Sequence, residues 1–356
     1  MNKNNKFYKR LIIEDPINSQ KIQNMIAEIE KLSGMWTAGL KLAPQILSIL
    51  KKSTIITSAG ASTRIEGSKL SDKEIERLFS SGLKTKKFST RDEQEVAGYK
   101  ELLENVFNSF ESIKFSESTI KHFHKELLKY SDKDQKHLGE YKFGDNKVVA
   151  QDDKGKILGI IFEPTKPYLA PKEMQELVEW TEEAFEEKIF HPLLVIANFI
   201  IEFLKIHPFQ DGNGRSSRVL TNFLMLKYGY SYIPYVSHEK LIEDNKDSYY
   251  LALNKSQKSK DHNISLWLIF FLEMILEQAK LAVKLGDKER VEIFLSPKQL
   301  QVWEFMQEKR ETTPKEIRGN LNMATATALQ VLNKLVEIKK IERLGGGRST
   351  RYRIIE

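Results

Sequence analysis

The chain has 356 residues, of which 40% are hydrophobic and 29% charged, and it contains no cysteine. These values are typical of a folded globular protein with two or three domains. They exclude a disulfide framework and a thiolate metal site. No apolar run reaches the ~20 residues of a membrane span. We therefore expect no membrane partner, and the lack of cysteine favours a cytoplasmic location.

The positive charge is concentrated near the C-terminus. The whole chain carries a net charge of +7, and residues 296–356 contain 12 Lys and Arg against 7 Asp and Glu. This segment alone therefore accounts for most of the net positive charge of the chain. A local basic excess favours an acidic partner, such as nucleic acid, at this end of the chain.

The first hundred residues predict helices. Between residues 18 and 36, apolar side chains fall on one stripe at helical spacing. A second helical stretch, residues 43–67, is expected to end at Gly67, because glycine commonly follows a helix C-terminus. Ser71 and Glu74 form a capping-box pattern, which predicts that a further helix starts there.

The middle of the chain has a different pattern. The segments 148–149 and 157–162 are β-rich and are joined by a short polar turn, so they predict a β-hairpin. Helices are expected again from Pro171 onwards. Residues 192–206 are apolar almost all round and predict a central buried helix. A further helix is expected to end at Gly229.

From about Leu295 the sequence predicts a small separate domain. Three short helices are expected, each preceded by Ser or Thr at its cap, and a hairpin turned at residues 345–347 follows. Three helices and a basic hairpin are typical of a winged-helix domain. Contacts to duplex DNA are offered by its third helix, through Thr327, Gln330, Asn333 and Lys334, and by the wing, through Arg348, Arg351 and Arg353.

Residues 207–218, HPFQDGNGRSSR, separate the central buried helix from the next one. His207 can accept a proton near neutral pH, and Asp211 offers the hard oxygens that Mg²⁺ prefers. Gly212–Gly214 free backbone N–H groups at a helix start, where an anion binds well. Arg215 and Arg218 can both bind phosphate oxygens. The stretch therefore predicts a polyphosphate site beside a base, as in phosphoryl or nucleotidyl transfer to a hydroxyl.

This stretch resembles the signature of the Fic (filamentation induced by cAMP) family, and the resemblance covers roughly residues 60–285. It implies a mainly helical core and transfer of AMP from Mg·ATP to a Ser, Thr or Tyr hydroxyl of a target protein or of the chain itself, with release of pyrophosphate. His207 would be the general base and Asp211 the Mg²⁺ ligand. The nucleotide-binding residues implied are Gly212, Asn213, Gly214, Arg215, Arg218, Tyr249 and Gln257.

Two of these implications have alternatives in the sequence. Tyr249 and Gln257 lie where the family lines its adenine pocket, but Asn is commoner at the second position, and paired tyrosines in a helix also serve plain packing. The hairpin within residues 145–163 resembles the Fic flap. There Gly159, Ile160 and Ile161 would dock a target segment as an added strand, unless the hairpin is purely structural.

Ser62, Glu66 and Gly67 form a second pattern. A carboxylate at a helix C-terminus is unfavourable against the helix dipole, so Glu66 invites a cationic partner. The spacing resembles the Fic inhibitory motif, in which Glu66 would pair with Arg218 and block placement of the γ-phosphate. The alternative is a solvated surface glutamate.

Together these patterns predict a mainly α protein with a Fic-type helical core, a β-hairpin flap and a small C-terminal winged-helix domain. Residues 1–105 would form a helical region carrying the 62–67 motif, residues 106–290 the catalytic core, and residues 291–356 the winged helix. Removal of AMP, transfer from another phosphate donor, and a DNA-binding regulator that senses nucleotide stay open. So does the choice between DNA and protein as the partner of the winged helix. The resemblance also allows a homo-oligomer.

Overall fold

The chain folds mainly into helices, as predicted, and the computed structural model describes most of it. The described residues are 5–39, 42, 44–80, 88–146, 148–151, 157–259, 262–286, 295–338, 340–347 and 350–355. Among these residues no helix is long and apolar enough to cross a membrane.

The helices follow one another along most of the described chain. They are α1 (Lys6–Lys9), α2 (Pro16–Gly39), α3 (Pro44–Ile65), α4 (Asp72–Ser80), α5 (Arg91–Ser109), α6 (Glu117–Leu128), α7 (Ala170–Glu187), α8 (Pro192–Ile206), α9 (Asn213–Lys227), α10 (His238–Asp244), α11 (Lys246–Gln257), α12 (Ser265–Gly286), α13 (Pro297–Lys309), α14 (Pro314–Leu321) and α15 (Thr325–Glu337). A short 3₁₀ helix, Ile233–Tyr235, separates α9 from α10.

The strands form two small sheets. They are β1 (Val148–Gln151), β2 (Ile157–Phe162), β3 (Glu311–Thr312), β4 (Ile341–Leu344) and β5 (Arg351–Ile354). Strands β1 and β2 pair antiparallel, with Val148 opposite Phe162 and Gln151 opposite Ile157, which confirms the predicted hairpin. The second sheet has the order β3-β5-β4, and all its pairs are antiparallel.

By its internal contacts the chain divides into two compact units. One consists of residues 1–38 and 52–282, and the other of residues 39–51 and 283–356. The domain boundaries predicted at residues 105 and 290 stay predictions.

Helix α8 lies at the centre of the first unit. Its side chains from Val195 to Leu204 are buried, as is that of Leu193, which confirms the predicted central buried helix. Two of these buried side chains are polar or charged: the Asn198 amide donates to the Phe7 carbonyl at 3.2 Å, and Glu202 pairs with Arg10. Helices α7 and α9 flank α8. This packing fixes both ends of the short loop between α8 and α9, because a helix buried on all sides has little freedom to shift.

The second unit packs three helices and the three-stranded sheet around its own core. Val302, Met306, Leu332 and Tyr352 are among the fully buried side chains there. Ser296 and Thr313 cap α13 and α14 through capping boxes, as the sequence predicts. The cap predicted for α15 is wrong, because the N-cap is Ala324, which has no side-chain oxygen, and Thr325 already lies inside the helix.

The side chains predicted to contact DNA lie on the surface of this unit. Gln330 and Asn333 on α15 are exposed. Arg351 pairs with Glu311 at 3.1 Å and Arg353 with Glu342 at 2.6 Å, so both arginines already have an acidic neighbour. Arg348 lies outside the described residues. DNA binding by this unit stays a prediction.

Candidate active site

The loop that leaves α8 begins with His207 in the left-handed conformation, at φ 52° and ψ 59°. The ring Nδ1 lies 3.2 Å from the Leu204 carbonyl. Since a carbonyl only accepts, Nδ1 is the protonated nitrogen and Nε2 is left as the acceptor. Burial lowers the pKa of His207 to about 4, so the ring is neutral at pH 7.

The rest of the loop is closed by aromatic packing and by one histidine. Phe209 is fully buried and stacks on His124, with ring centroids 3.8 Å apart. His124 accepts the Gly139 N–H at Nδ1, so its Nε2 carries the proton and donates to the Asp211 carbonyl at 3.1 Å. These contacts hold the loop in one shape.

The side chain of Asn213 also shapes the loop. Its Oδ1 accepts the Phe209 N–H at 2.9 Å, and its Nδ2 donates to the Phe209 carbonyl at 2.8 Å. The amide is therefore used inside the protein. What Asn213 offers to the pocket is the backbone N–H at the first position of α9, where the N–H groups lack helix partners.

Asp211 belongs to a closed ring of two carboxylates and two guanidinium groups. Its Oδ1 accepts from Arg215 at 3.3 Å and its Oδ2 from Arg91 at 3.0 Å. Glu95 accepts from Arg91 at 2.7 Å, and its other oxygen lies 3.2 Å from Arg215. Burial raises the pKa of Asp211, but Arg215, the Gly212 N–H and Arg91 outweigh it and the net shift is downwards.

Glu66 and Arg218 are brought together, as the sequence predicts. Arg218 Nη2 lies 2.8 Å from Glu66 Oε1, and the same guanidinium donates to the Ser62 hydroxyl at 2.8 Å and to the Ser62 carbonyl at 2.9 Å. The exposed fraction is 2% for the Arg218 side chain and 34% for the Glu66 side chain. The carboxylate is thus open to the pocket while its partner is buried.

The end of α3 sets the position of Glu66. Gly67 has φ +106°, and the Ser68 N–H bonds back to the Thr63 carbonyl at 3.1 Å, which closes the helix end. The predicted stop at Gly67 is confirmed. A side chain on Gly214 would overlap the Glu66 carboxylate. The carboxylate therefore rests against the first turn of α9, where an anion is favoured.

These groups line one pocket. The lining includes Glu66, His207, Asp211, Arg215 and the backbone of residues 212–214. Arg218 Nη1 has no hydrogen-bond partner among the described residues, and it lies beside Gly214. A buried donor left open at a helix N-terminus suits an added anion.

The far wall of the pocket comes from α11. Tyr249 and Gln257 both line it, together with Tyr250, Leu253 and Asn254. Asn254, four residues after Tyr250 and so on the same helix face, was missed from the sequence. Phe162, at the end of β2, lines the pocket as well, whereas Gly159, Ile160 and Ile161 lie in the preceding part of that strand.

A magnesium ion fits this donor set only together with a phosphate ligand. Asp211 keeps 34% of its side-chain surface exposed beside the start of α9. Among the described residues there is no cluster of three His, Cys, Asp or Glu side chains that could hold a metal. Mg²⁺ commonly binds through one or two carboxylates plus substrate phosphates and water, so a single carboxylate suffices.

Two charged residues beside the pocket, Arg91 and Glu95, gave no signal in the sequence. They lie in a charged stretch that is typical of an ordinary solvated helix. Only the packing of α5 against α9 brings Glu95 to Arg215.

Residues 114–225 match the model of the Fic/DOC family. A protein of Aquifex aeolicus named "Probable protein adenylyltransferase aq_aa38" is 34% identical over 86 residues, which are 24% of this chain and 26% of that protein. "Protein adenylyltransferase Fic" of Aedes aegypti is 48% identical over 42 residues, which are 12% of this chain and 8% of that one. The chain therefore matches about a quarter or less of the length of these curated relatives.

Solved structures resemble the fold over much of the chain. A Fic family protein from Desulfovibrio desulfuricans superposes with a TM-score of 0.63 at 21% identity and covers 97% of both chains. A Fic domain containing signaling protein from Bacteroides thetaiotaomicron has a TM-score of 0.59 at 22% identity and covers 74% of this chain and 97% of its own. At these identities the likeness concerns the fold alone.

Proposed function

We propose that the chain, whose residues 114–225 match the model of the Fic/DOC family, is a protein adenylyltransferase. It transfers AMP from Mg·ATP to a Ser, Thr or Tyr hydroxyl of a target protein or of itself. One observation carries the proposal. A neutral His207 and the first turn of α9, whose N–H groups lack helix partners, line the same pocket, so a proton acceptor and an anion site lie side by side.

The reaction uses the lone pair on His207 Nε2. The target hydroxyl oxygen attacks the α-phosphorus of ATP, and its proton passes to Nε2. The bond from the α-phosphorus to the bridging oxygen breaks, and pyrophosphate leaves with that oxygen. Because Nδ1 is held by the Leu204 carbonyl, the ring keeps the tautomer in which Nε2 accepts.

The backbone N–H groups of Asn213 and Gly214 and the guanidinium groups of Arg215 and Arg218 bind the phosphates, while the Gly212 N–H donates to Asp211 Oδ1 at 2.6 Å. Their charge stabilises the negative charge that grows on the leaving group. Asp211 would hold Mg²⁺, which supplies further charge neutralisation on the phosphates. The α11 wall, with Tyr249, Asn254 and Gln257, would receive the adenine.

We further propose that Glu66 inhibits this site. Its carboxylate occupies the anion position against Gly214 and pairs with Arg218, the side chain that would otherwise bind the γ-phosphate. A nucleotide can bind with its γ-phosphate in place only when Glu66 leaves. The flap, with Gly159, Ile160 and Ile161, would hold the target segment by strand addition.

The reaction class is tested with α-labelled ATP. The wild type and a Glu66→Gly variant, each with and without a cell lysate, should attach label to protein in the presence of Mg²⁺. The His207→Ala variant should bind ATP normally but attach no label, because it lacks the base. Label that appears on protein with His207→Ala would remove the proposed role of His207.

Other outcomes distinguish the alternatives. If ATP binds but neither the wild type nor Glu66→Gly labels any protein, the adenylyltransferase proposal is wrong. Loss of label from a pre-modified target on addition of the wild type would favour AMP removal instead. Label from the γ-position in place of the α-position would indicate another transfer reaction.

A further inference from the structure

The base His207 lies in a backbone conformation that it does not favour by itself. The left-handed region, here φ 52° and ψ 59°, is strained for a residue with a side chain. Such strain at a functional residue persists only when the surroundings enforce it. The bond from the His207 N–H to the Phe203 carbonyl, 2.8 Å long, fixes one side of the turn. The other side needs a further restraint.

Lys142 supplies contacts on both sides of His207. Its ammonium Nζ donates to the Ile206 carbonyl at 3.0 Å, and its backbone N–H donates to the Pro208 carbonyl at 2.8 Å. The residue is only 4% exposed. A cation on a carbonyl of the last helical turn is favourable against the α8 dipole. Lys142 therefore holds the residue before and the residue after the base.

Asn146 adds a contact to the next residue of the loop, Phe209. Its Oδ1 accepts from the Lys142 ammonium at 3.0 Å, and its Nδ2 donates to the Phe209 carbonyl at 2.9 Å. Residues 142–146 thus bind the backbone of residues 206–209 at three carbonyls. The segment takes no part in the nucleotide-binding side of the pocket, since neither side chain lines it.

The charge of Lys142 acts on His207 as well. Burial lowers the pKa of Lys142 to about 8, opposed by Asp145 and Glu173 and assisted by Lys166, so the ammonium is mostly charged at neutral pH. Burial is the main cause that lowers the pKa of His207, and the positive charge of Lys142 adds to it. Hydrogen bonding to Leu204 and the charges of Glu66 and Asp211 act the other way.

We infer that Lys142, assisted by Asn146, is a positioning residue that holds His207 in its left-handed turn and so directs Nε2 to the reacting hydroxyl. The inference rests on the proposed role of His207 in AMP transfer. Lys142 does not touch the reacting atoms; it acts through the two peptide groups beside the base.

The first test separates catalysis from nucleotide binding. Lys142→Met should lower kcat for AMP transfer by about 10- to 100-fold, because small misplacements of a reacting group have effects of this size. KM for ATP should stay within about twofold, since the nucleotide contacts are elsewhere. Asn146→Ala should act in the same direction with a smaller effect, and Lys142→Arg, which keeps the charge, should recover part of the loss. The matched control is Lys172→Met, since Lys172 is a 75%-exposed lysine on α7.

The second test needs no activity at all. The imidazole of His207 is titrated by NMR, with His207→Ala identifying its signals among the 7 histidines. In Lys142→Met the pKa of His207 should rise from about 4 towards 6.5, because a neighbouring positive charge is removed and the turn becomes more open. Lys172→Met should titrate like the wild type.

Unchanged kcat and unchanged His207 titration in both Lys142→Met and Asn146→Ala would overturn the inference. If Lys142→Met does not fold, Asn146→Ala alone decides by the same two measurements. If the wild type transfers no AMP, the proposed function fails, while a raised His207 pKa in Lys142→Met still supports the positioning of the imidazole. An equal rise in KM for ATP in Lys142→Met, Lys142→Arg and Asn146→Ala would mean that Lys142 contributes only to general stability. This result would also overturn the inference.

Discussion

The two buried arginines of α9 differ in the carboxylates they meet. Arg215 and Arg218 are each 2% exposed, and they lie one helical turn apart. Arg215 faces Glu95, which lies within α5 and whose side chain is 9% exposed. Arg218 faces Glu66, which lies just beyond the end of α3 and whose side chain is 34% exposed.

The two carboxylates also differ in the partners that their arginines would retain if the carboxylate were removed. Glu95 bridges Arg215 and Arg91 inside a ring of four charges, so its removal leaves both arginines to share the one carboxylate of Asp211. Arg218 keeps its hydrogen bonds to the hydroxyl and the carbonyl of Ser62 when Glu66 is removed. The two arginines of α9 therefore pair with one carboxylate that belongs to the framework and with one that can be released.

The largest effect is expected at the fixed pair. Glu95→Gln should lower the free energy of unfolding by about 3 kcal/mol, at the lower end for a broken buried pair because Asp211 still neutralises Arg215. Urea denaturation measures this loss. Glu104→Gln, which removes the more accessible pair with Lys100 on the same helix, should lose less than about 1 kcal/mol. Equal losses in both variants would contradict the comparison.

The releasable pair should affect activity more than stability. Glu66→Gly should raise the rate of AMP transfer, self-modification included, by about tenfold or more, in the range typical of coupled sites. The cause is that the γ-phosphate position becomes free. Labelled AMP on protein measures the rate. Glu66→Gln should show the same direction, whereas Glu76→Gln, which removes an exposed carboxylate of α4, should have the activity of the wild type. Unchanged transfer and nucleotide binding in Glu66→Gly would refute the inhibitory role.

Arg91 provides a smaller test, since it is the exposed member of the ring, with 53% of its side chain accessible. Arg91→Ala should lower the free energy of unfolding by less than about 1 kcal/mol. It should also tighten Mn²⁺ binding in the absence of nucleotide by about two- to fivefold, because a competing cation leaves Asp211. Electron paramagnetic resonance of free Mn²⁺ measures the affinity, with Asp211→Asn as the non-binding control. Weaker binding in Arg91→Ala would mean that Arg91 orients Asp211 instead.

The smallest effect is expected in how the stability contributed by Glu66 depends on pH. Burial raises the pKa of Glu66, but Arg218 outweighs it and the net pKa is lowered below 4.5. A carboxyl group whose pKa is lower in the folded than in the unfolded state stabilises the fold at a pH above its unfolded-state pKa. This stabilisation is lost as the pH falls through the folded-state pKa. The free energy of unfolding of the wild type should therefore be higher than that of Glu66→Gln by less than about 1 kcal/mol at neutral pH. This difference should vanish well below pH 4.5. Urea denaturation at several pH values measures it, and a difference that grows on acidification would contradict the sign.

Much of the site followed from local patterns. The break between two apolar helices, the glycines of residues 212–214 and the arginines at helical spacing together predicted an anion site beside a base, because each property depends on neighbouring residues only. The hairpin and the central buried helix were predicted for the same reason. The pairing of Glu66 with Arg218 came from a resemblance to a known motif, and the structure brings these two side chains together.

The sequence by itself determined which residues could perform the chemistry: His207, Asp211, Arg215 and Arg218 stand within twelve consecutive positions. Only the tertiary structure decided what restrains them. Glu95 and Lys142 are distant along the chain, and their roles depend on which helix face and which carbonyl they meet after packing. Local propensities act over a few residues, whereas ion pairs and the strained turn at His207 are fixed by contacts between segments 60 or more positions apart.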